Sequence, residues 1–199
     1  MRIWIHKLEE AWREHAYERS SIKFDLVGAP LSWIYWLLSN VKRLIFWKIP
    51  GNQIKVSNRV ISVGNLTVGG SGKTPVIKYC LELLEDHSVC LISRGYGAQF
   101  EGAFARYDGN TKKWDRKGLF GDEVHEVLRL NPSIHAAVGK QRALLALEQQ
   151  EIESNRILLY DDALQYWRLA RDLDIVVIHA QKWLGNGHIF PRGPLREGP

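Results

Sequence analysis

The residues best suited to chemistry stand in "VGNLTVGGSGKTP", Val63 to Pro75. Gly69, Gly70 and Gly72 flank Ser71 and precede Lys73 and Thr74, and in such a loop the backbone N–H groups of residues 69–74 converge on phosphate oxygens. The glycines permit positive φ and let phosphate approach the backbone closely. Lys73 would bind the β and γ phosphates, and the Thr74 hydroxyl would hold Mg²⁺. The usual G-x-x-x-x-G-K-[ST] pattern asks for glycine where this chain has Thr67. The competing account is a glycine-rich turn that happens to contain a lysine. An apolar strand, Val60 to Val63, leads in and a helix-compatible run leads out, which is the setting a phosphate loop requires.

Carboxylates come next. "RILLYDDALQYW" ends an apolar run in Asp161 and Asp162, where a sheet's carboxyl edge would bring them beside the loop and one could hold Mg²⁺ through water. The same pattern also arises as an ordinary strand end or helix cap. In "GDE", Gly121 to Glu123, Asp122 could sit near the γ phosphate and help remove a proton from an attacking hydroxyl; a carboxylate at a helix N-terminus is the commoner explanation. The seven histidines show no metal-ligand spacing. Cys80 and Cys90 lack C-x-x-C or metal spacing and read as ordinary thiols of a reducing compartment.

These residues need a scaffold. From Arg59 short β-rich runs, "RVISV", "SVCLIS", "SIHAAV", "RILLY" and "LDIVVIH", alternate with helical stretches: Lys73 to about Glu85, "VHEVLRL" and "KQRALLALEQQ". That rhythm predicts a parallel sheet with crossover helices. "FARYDGNTKKW" reads as a peripheral hairpin around Asp108 and Gly109. Before Arg59 the pattern is helical: residues 3–17 form one amphipathic helix, and a second starts near Pro30 and ends at "IPGN". On the second, Ile34, Leu37, Leu38, Val41, Leu44 and Ile45 share a face.

Residues 1–60 hold 10 Lys/Arg and 5 Asp/Glu, while the other 139 hold 17 of each, so the whole net charge of +5 is N-terminal. Five of the eight tryptophans, Trp4, Trp12, Trp33, Trp36 and Trp47, fall in the same segment. Tryptophan beside Lys/Arg suits a membrane interface better than a nucleic-acid groove, so an anionic lipid surface is the expected partner and nucleic acid is not. The longest apolar run, Leu26 to Leu38, has 13 residues, short of the ~20 that a span requires.

The combination of "VGNLTVGGSGKTP", "SRGYG" (Ser93 to Gly97), "GDE" and "RLARDLDIVV…GNGHIFPRGPLRE" resembles the tetraacyldisaccharide 4'-kinases of lipid A synthesis. The resemblance runs from about Arg59 to Pro199 and loosely takes in the hydrophobic N-terminal arm. That family's phosphate loop also lacks the first glycine. The resemblance implies transfer of the ATP γ-phosphoryl group to the 4'-hydroxyl of a tetraacylated glucosamine disaccharide, with Mg²⁺, at the cytoplasmic face of the bacterial inner membrane, by a peripheral or monotopic enzyme. It implies that Thr67, Val68, Gly69, Gly70, Ser71, Gly72, Lys73 and Thr74 bind ATP with Gln165 nearby. Asp161 and Asp162 match the metal-side aspartates, and Asp122 matches the base. Where the family usually reads Asp-Asp-Gly-Phe-Gln-His, this chain has Ala163, Leu164 and Tyr166; Val124 stands for Pro, His179 for a strand-ending Asp, and Arg192 for Ala.

The expected architecture is therefore α/β: a P-loop NTPase-like, mostly parallel sheet with flanking helices, forming a kinase core over 51–199 and preceded by a helical membrane-interface arm over 1–50. Relatives continue past "GPLRE" into a portion whose histidine pairs with the base, which leads to the expectation of impaired transfer by the 199-residue chain. Two other readings stand beside it: a non-catalytic nucleotide-binding remnant, and a P-loop GTPase or partitioning-type ATPase, for which no N-K-x-D guanine-reading motif is present.

Overall fold

Apolar residues at helical spacing before Arg59 and at alternating spacing after it give two kinds of building block. The computed structural model describes residues 2–17, 22–49, 51–70 and 72–198, without the side chains of 2–5 and 22–24. The chain divides into two compact units: Met1–Ile49 with Asn65–Ser71 and Ile178–Pro199, and Pro50–Gly64 with Gly72–Val177.

The first unit holds α1 (Arg2–Tyr17) and α2 (Ile22–Lys48). Helix α2 begins eight residues before the expected start near Pro30, which lies inside it. Proline there removes the N–H that would bond the Leu26 carbonyl and its ring crowds that carbonyl, and the surrounding contacts outweigh the cost. Ser32 donates to the Ile189 carbonyl (2.7 Å) and accepts from the Arg192 N–H (2.9 Å). Arg192 pairs with Asp25 through Nε (2.8 Å), and a Cβ on Gly28 would come within 2.9 Å of the Arg192 Cα. From α1, the Trp12 indole N–H donates to the Pro191 carbonyl (2.7 Å), and His15 Nε2 donates to the Arg192 carbonyl (2.8 Å). The face carrying Ile34, Leu37, Leu38, Val41, Leu44 and Ile45 is exposed, as are Trp33 and Trp47. No helix among the described residues is long and apolar enough to cross a membrane.

In the second unit the strands are β1 (Val60–Gly64), β2 (Val89–Ser93), β3 (Gln99–Phe100), β4 (Phe104–Asp108), β5 (Lys113–Trp114), β6 (Gly118–Leu119), β7 (His135–Gly139), β8 (Ile157–Asp161) and β9 (Leu173–Val176). Among the described residues, seven form one sheet in the order β5-β4-β7-β2-β8-β1-β9, and β3 pairs with β6 separately. Strands β7, β2, β8, β1 and β9 are parallel neighbours. The expected hairpin is present as β4 and β5, but it extends the main sheet, because β4 pairs antiparallel with β7. The turn closes where Asp108 accepts from the Asn110 N–H (3.1 Å) and the Thr111 hydroxyl (2.9 Å).

Period-two alternation divides the core. Val89, Leu91, Val138, Ile157 and Leu159 face one side and pack with α3 (Lys73–Leu83) and α4 (Asp122–Leu130). Cys90, Ile92, Ala137, Leu158 and Tyr160 face the other and pack with α5 (Arg142–Ile152). Both faces of a parallel sheet must be covered, which explains why these strands read as nearly continuous apolar runs. Each fully buried Leu or Val contributes about 1.5 to 3 kcal/mol. The chain leaves β1 in one direction along the sheet, to β2, and leaves its neighbour β8 in the other, to β9, so the order reverses between β1 and β8, and the crevice outside the carboxyl ends there is where such sheets bind ligands.

Candidate active site

Three strand ends meet at that crevice. Strand β1 stops at Gly64, where a side chain is excluded: a Cβ would lie 2.6 Å from the Leu164 Cγ. Strand β2 stops at Ser93 and β8 at Asp161. The Ser93 hydroxyl donates to Asp161 (3.3 Å) and accepts from the Gly95 N–H (3.2 Å). The "SRGYG" turn needs its glycine, because Gly95 has φ +68° and a Cβ would collide with the Val138 Cγ1.

Gly72, at φ +81°, caps α3, and Lys73 and Thr74 form the first turn. Lys73 Nζ lies 3.6 Å from Asp162 Oδ1, with the lysine side chain only 13% exposed. Lysine, Thr74 and the paired aspartates are thus brought to one edge, as the sequence predicted. Asp162 sits at φ +55°, a left-handed conformation that Asp tolerates better than most residues. Its N–H donates to the Val63 carbonyl (2.8 Å), the last rung between β8 and β1.

Asp161 is 7% exposed. Burial pushes its carboxyl up to about 6; Glu123 and Asp162 add to the rise, while Lys73 and the Ser93 hydroxyl oppose it. A buried carboxyl, a second carboxylate and the Thr74 hydroxyl in the first turn of α3 form an oxygen donor set suited to a hard cation. Magnesium binds through one or two carboxylates and substrate phosphates, not in an all-protein cage. Among the described residues there is no group of three or more His, Cys, Asp or Glu placed to hold a metal.

The loop segment 65–70 belongs to the first unit. Thr67 forms an antiparallel bridge with Leu195, Val68 N–H donates to the Pro194 carbonyl (2.8 Å), and Arg196 N–H donates to the Leu66 carbonyl (2.7 Å). Thr67 is therefore held in paired, extended backbone, where glycine has no advantage. Asn65 Nδ2 donates to the Thr67 carbonyl (2.6 Å) and Tyr17 to the Val68 carbonyl (3.0 Å). Gly69 has φ +103°, whereas Gly70 needs no positive φ; a Cβ on Gly69, Gly70 or Gly72 would meet open space. Thr67 to Gly70 border a cavity of about 370 Å³ also lined by Trp12, Tyr17 and Lys182. Ser71 lies outside the described residues.

Asp122 is the exposed first residue of α4, and Glu123 beside it is close enough to raise the proton affinity of Asp161. Gln165 is half-buried four residues beyond Asp161. Sequence reasoning missed Ser93, Glu123 and Arg142. Arg142, 6% exposed, donates from Nη1 to the carbonyls of Asp161 (2.8 Å) and Asp162 (3.1 Å). Its signal was available: Arg142 occupies the buried stripe of α5 with Leu145, Ala146 and Gln149, where a charge requires an explanation.

A family model described as tetraacyldisaccharide-1-P 4'-kinase, LpxK, matches residues 24–199. The chain belongs to that family. A tetraacyldisaccharide 4'-kinase of Shewanella halifaxensis (strain HAW-EB4) is 37% identical over 204 residues, covering 100% of this chain and 56% of the relative. One of Haemophilus influenzae (strain 86-028NP) is 38% identical over 184 residues, covering 90% and 53%. A crystal structure of LpxK from Aquifex aeolicus, described as an "apo" form in complex with ATP, superposes with a TM-score of 0.71 at 33% identity, covering 85% of this chain and 53% of that one. The P-loop kinase fold of the LpxK family is thus shared. The chain spans about half the length of the curated relatives it matches.

Proposed function

We propose that the chain binds MgATP and transfers its γ-phosphoryl group to the 4'-hydroxyl of a tetraacylated glucosamine disaccharide, the step that gives lipid A its 4'-phosphate. The observation that carries this reading is the meeting of Lys73 and Asp162, 3.6 Å apart, at the sheet edge beside buried Asp161. Phosphoryl transfer asks a protein mainly for positioning and neutralisation of charge. Lys73 leaves Asp162 for the β and γ phosphates, and the N–H groups at the start of α3 face the same anion. Thr74, Asp161 and Asp162 would hold magnesium, which when bound neutralises the phosphate charge. Asp122 takes the proton from the sugar hydroxyl as its oxygen bonds to phosphorus, and ADP departs. Thr67 to Gly72 cradle the phosphates and Gln165 lies at the nucleotide side.

The acceptor is a lipid, and the arm suits one. Helix α2 exposes Trp33, Leu38 and Trp47 at 63%, 64% and 66%. With Lys42, Arg43 and Lys48 on the same helix, residues 1–50 attach the protein peripherally to the anionic cytoplasmic face of the inner membrane. The test is labelled ATP with tetraacylated disaccharide in mixed micelles. Slow formation of product phosphorylated at the 4' position, lowered further by Lys73→Ala or Asp122→Ala, is expected. Nucleotide binding without transfer would instead mark the chain as a non-catalytic relative.

A further inference from the structure

Tyr166 lies four residues beyond Asp162, and its surroundings give it work away from the phosphates. Helix α5 has no side-chain cap on its Gln141 N-cap, leaving early N–H groups in need of acceptors. The Tyr166 hydroxyl accepts from the Ala143 N–H (3.0 Å). The Arg142 guanidinium lies 4.6 Å from the centroid of the Tyr166 ring, and the Arg142 carbonyl accepts from the Tyr160 hydroxyl (2.9 Å). A buried guanidinium at a helix N-terminus is in an unfavourable place, facing the positive end of the helix dipole and stripped of water. Its Nε is buried with no hydrogen-bond partner among the described residues. What holds it is the Tyr166 π face together with the two carbonyls that receive Nη1.

Those carbonyls belong to Asp161 and Asp162. With the Asp162 N–H on the Val63 carbonyl and its own carbonyl on Arg142, both peptide groups of a left-handed residue are fixed, and its carboxylate is aimed at Lys73. A turn of this kind relaxes unless its surroundings over-determine it.

We infer that Tyr166 is a positioning residue: its ring locks Arg142, and Arg142 locks the Asp161–Asp162 turn in the conformation that receives the divalent ion of the nucleotide complex. The inference rests on the reading of these aspartates as the metal-side pair. It concerns the ring, and the hydroxyl serves α5 alone.

Mn²⁺ titration followed by electron paramagnetic resonance, with ATP present, separates the possibilities on the full chain. Asp162→Asn tests the underlying reading: unchanged Mn²⁺ affinity would remove the aspartates from the metal side and the inference with them. Given at least a tenfold loss there, Tyr166→Leu is expected to weaken Mn²⁺ binding about tenfold while leaving metal-free ATP binding in EDTA within about twofold. Tyr166→Phe, which keeps the ring, is expected to match the wild type in Mn²⁺ affinity with a lowered Tm. Loss of metal-free and metal-dependent binding alike in Tyr166→Leu, or equal loss of Mn²⁺ affinity in Tyr166→Phe, would overturn the inference. Should Tyr166→Leu not fold, Arg142→Lys serves in its place, since an ammonium cannot stack and fork in the same geometry; wild-type Mn²⁺ affinity in that variant would overturn it too.

Discussion

At the scale of single residues, Asp161 is the costly choice. Its folded carboxyl titrates at about 6, against about 3.9 unfolded, so the protonated form is the one that folding favours. The contribution to stability is therefore full below about pH 4 and is lost as pH rises through 6, a change of roughly 2 to 3 kcal/mol in the metal-free protein. Urea unfolding of metal-free wild type and Asp161→Asn at pH 5 and 7.5 checks this. The wild type should lose about 1 to 2 kcal/mol relative to the variant between those pH values, and parallel behaviour would refute it. Lys73→Ala should weaken MgATP binding tenfold to a hundredfold by titration calorimetry, since one charge-assisted hydrogen bond in a partly desolvated site contributes about 1.5 to 3 kcal/mol. The glycines, lysine and paired aspartates of this site could be found from sequence because their spacing is local. Arg142 could not be placed, because its partners lie 19 and 20 residues away and its role depends on which way an α5 side chain turns.

Among elements, the β2 to β3 connection tolerates little change at its glycine. Gly95→Ala would impose a left-handed alanine and drive its methyl into Val138, costing about 2 to 4 kcal/mol in urea or guanidinium unfolding. Gly70→Ala, with open space around it, should stay within about 1 kcal/mol of wild type. The five parallel strands and three helices of the second unit followed from local pattern, as when "SVCLIS" gives β2 and "VHEVLRL" lies within α4, whereas the short β3–β6 pair was not foreseen. Where periodicity misled, tertiary contacts had taken over. Pro30 looked like a helix start, but Asp25, Gly28 and Ser32 contact Arg192 or Ile189, and those contacts extend α2 backwards to Ile22. The antiparallel addition of β4 to β7 likewise depends on partners some 30 residues apart, which local pattern does not encode.

For the molecule as a whole, the exposed apolar surface of α2 predicts binding to anionic vesicles. Replacing Trp33, Leu38 and Trp47 together by Glu should abolish most flotation with such vesicles, and raising salt should weaken wild-type flotation in part. Equal flotation of both proteins would exclude α2 as the anchor. Point substitutions are preferable to removal of residues 1–50, because Trp12, His15 and Ser32 are hydrogen-bonded to the 189–192 segment. That same discontinuity bears on synthesis. A ribosome adding about 5 to 20 residues per second delivers α1 and α2 roughly ten seconds before residues 189–192, to which they bond, have been made. During that interval the 189–192 contacts cannot form and the exposed face of α2 is open to water, a chaperone or a nearby bilayer, so targeting of the nascent chain can precede the closing of its first unit.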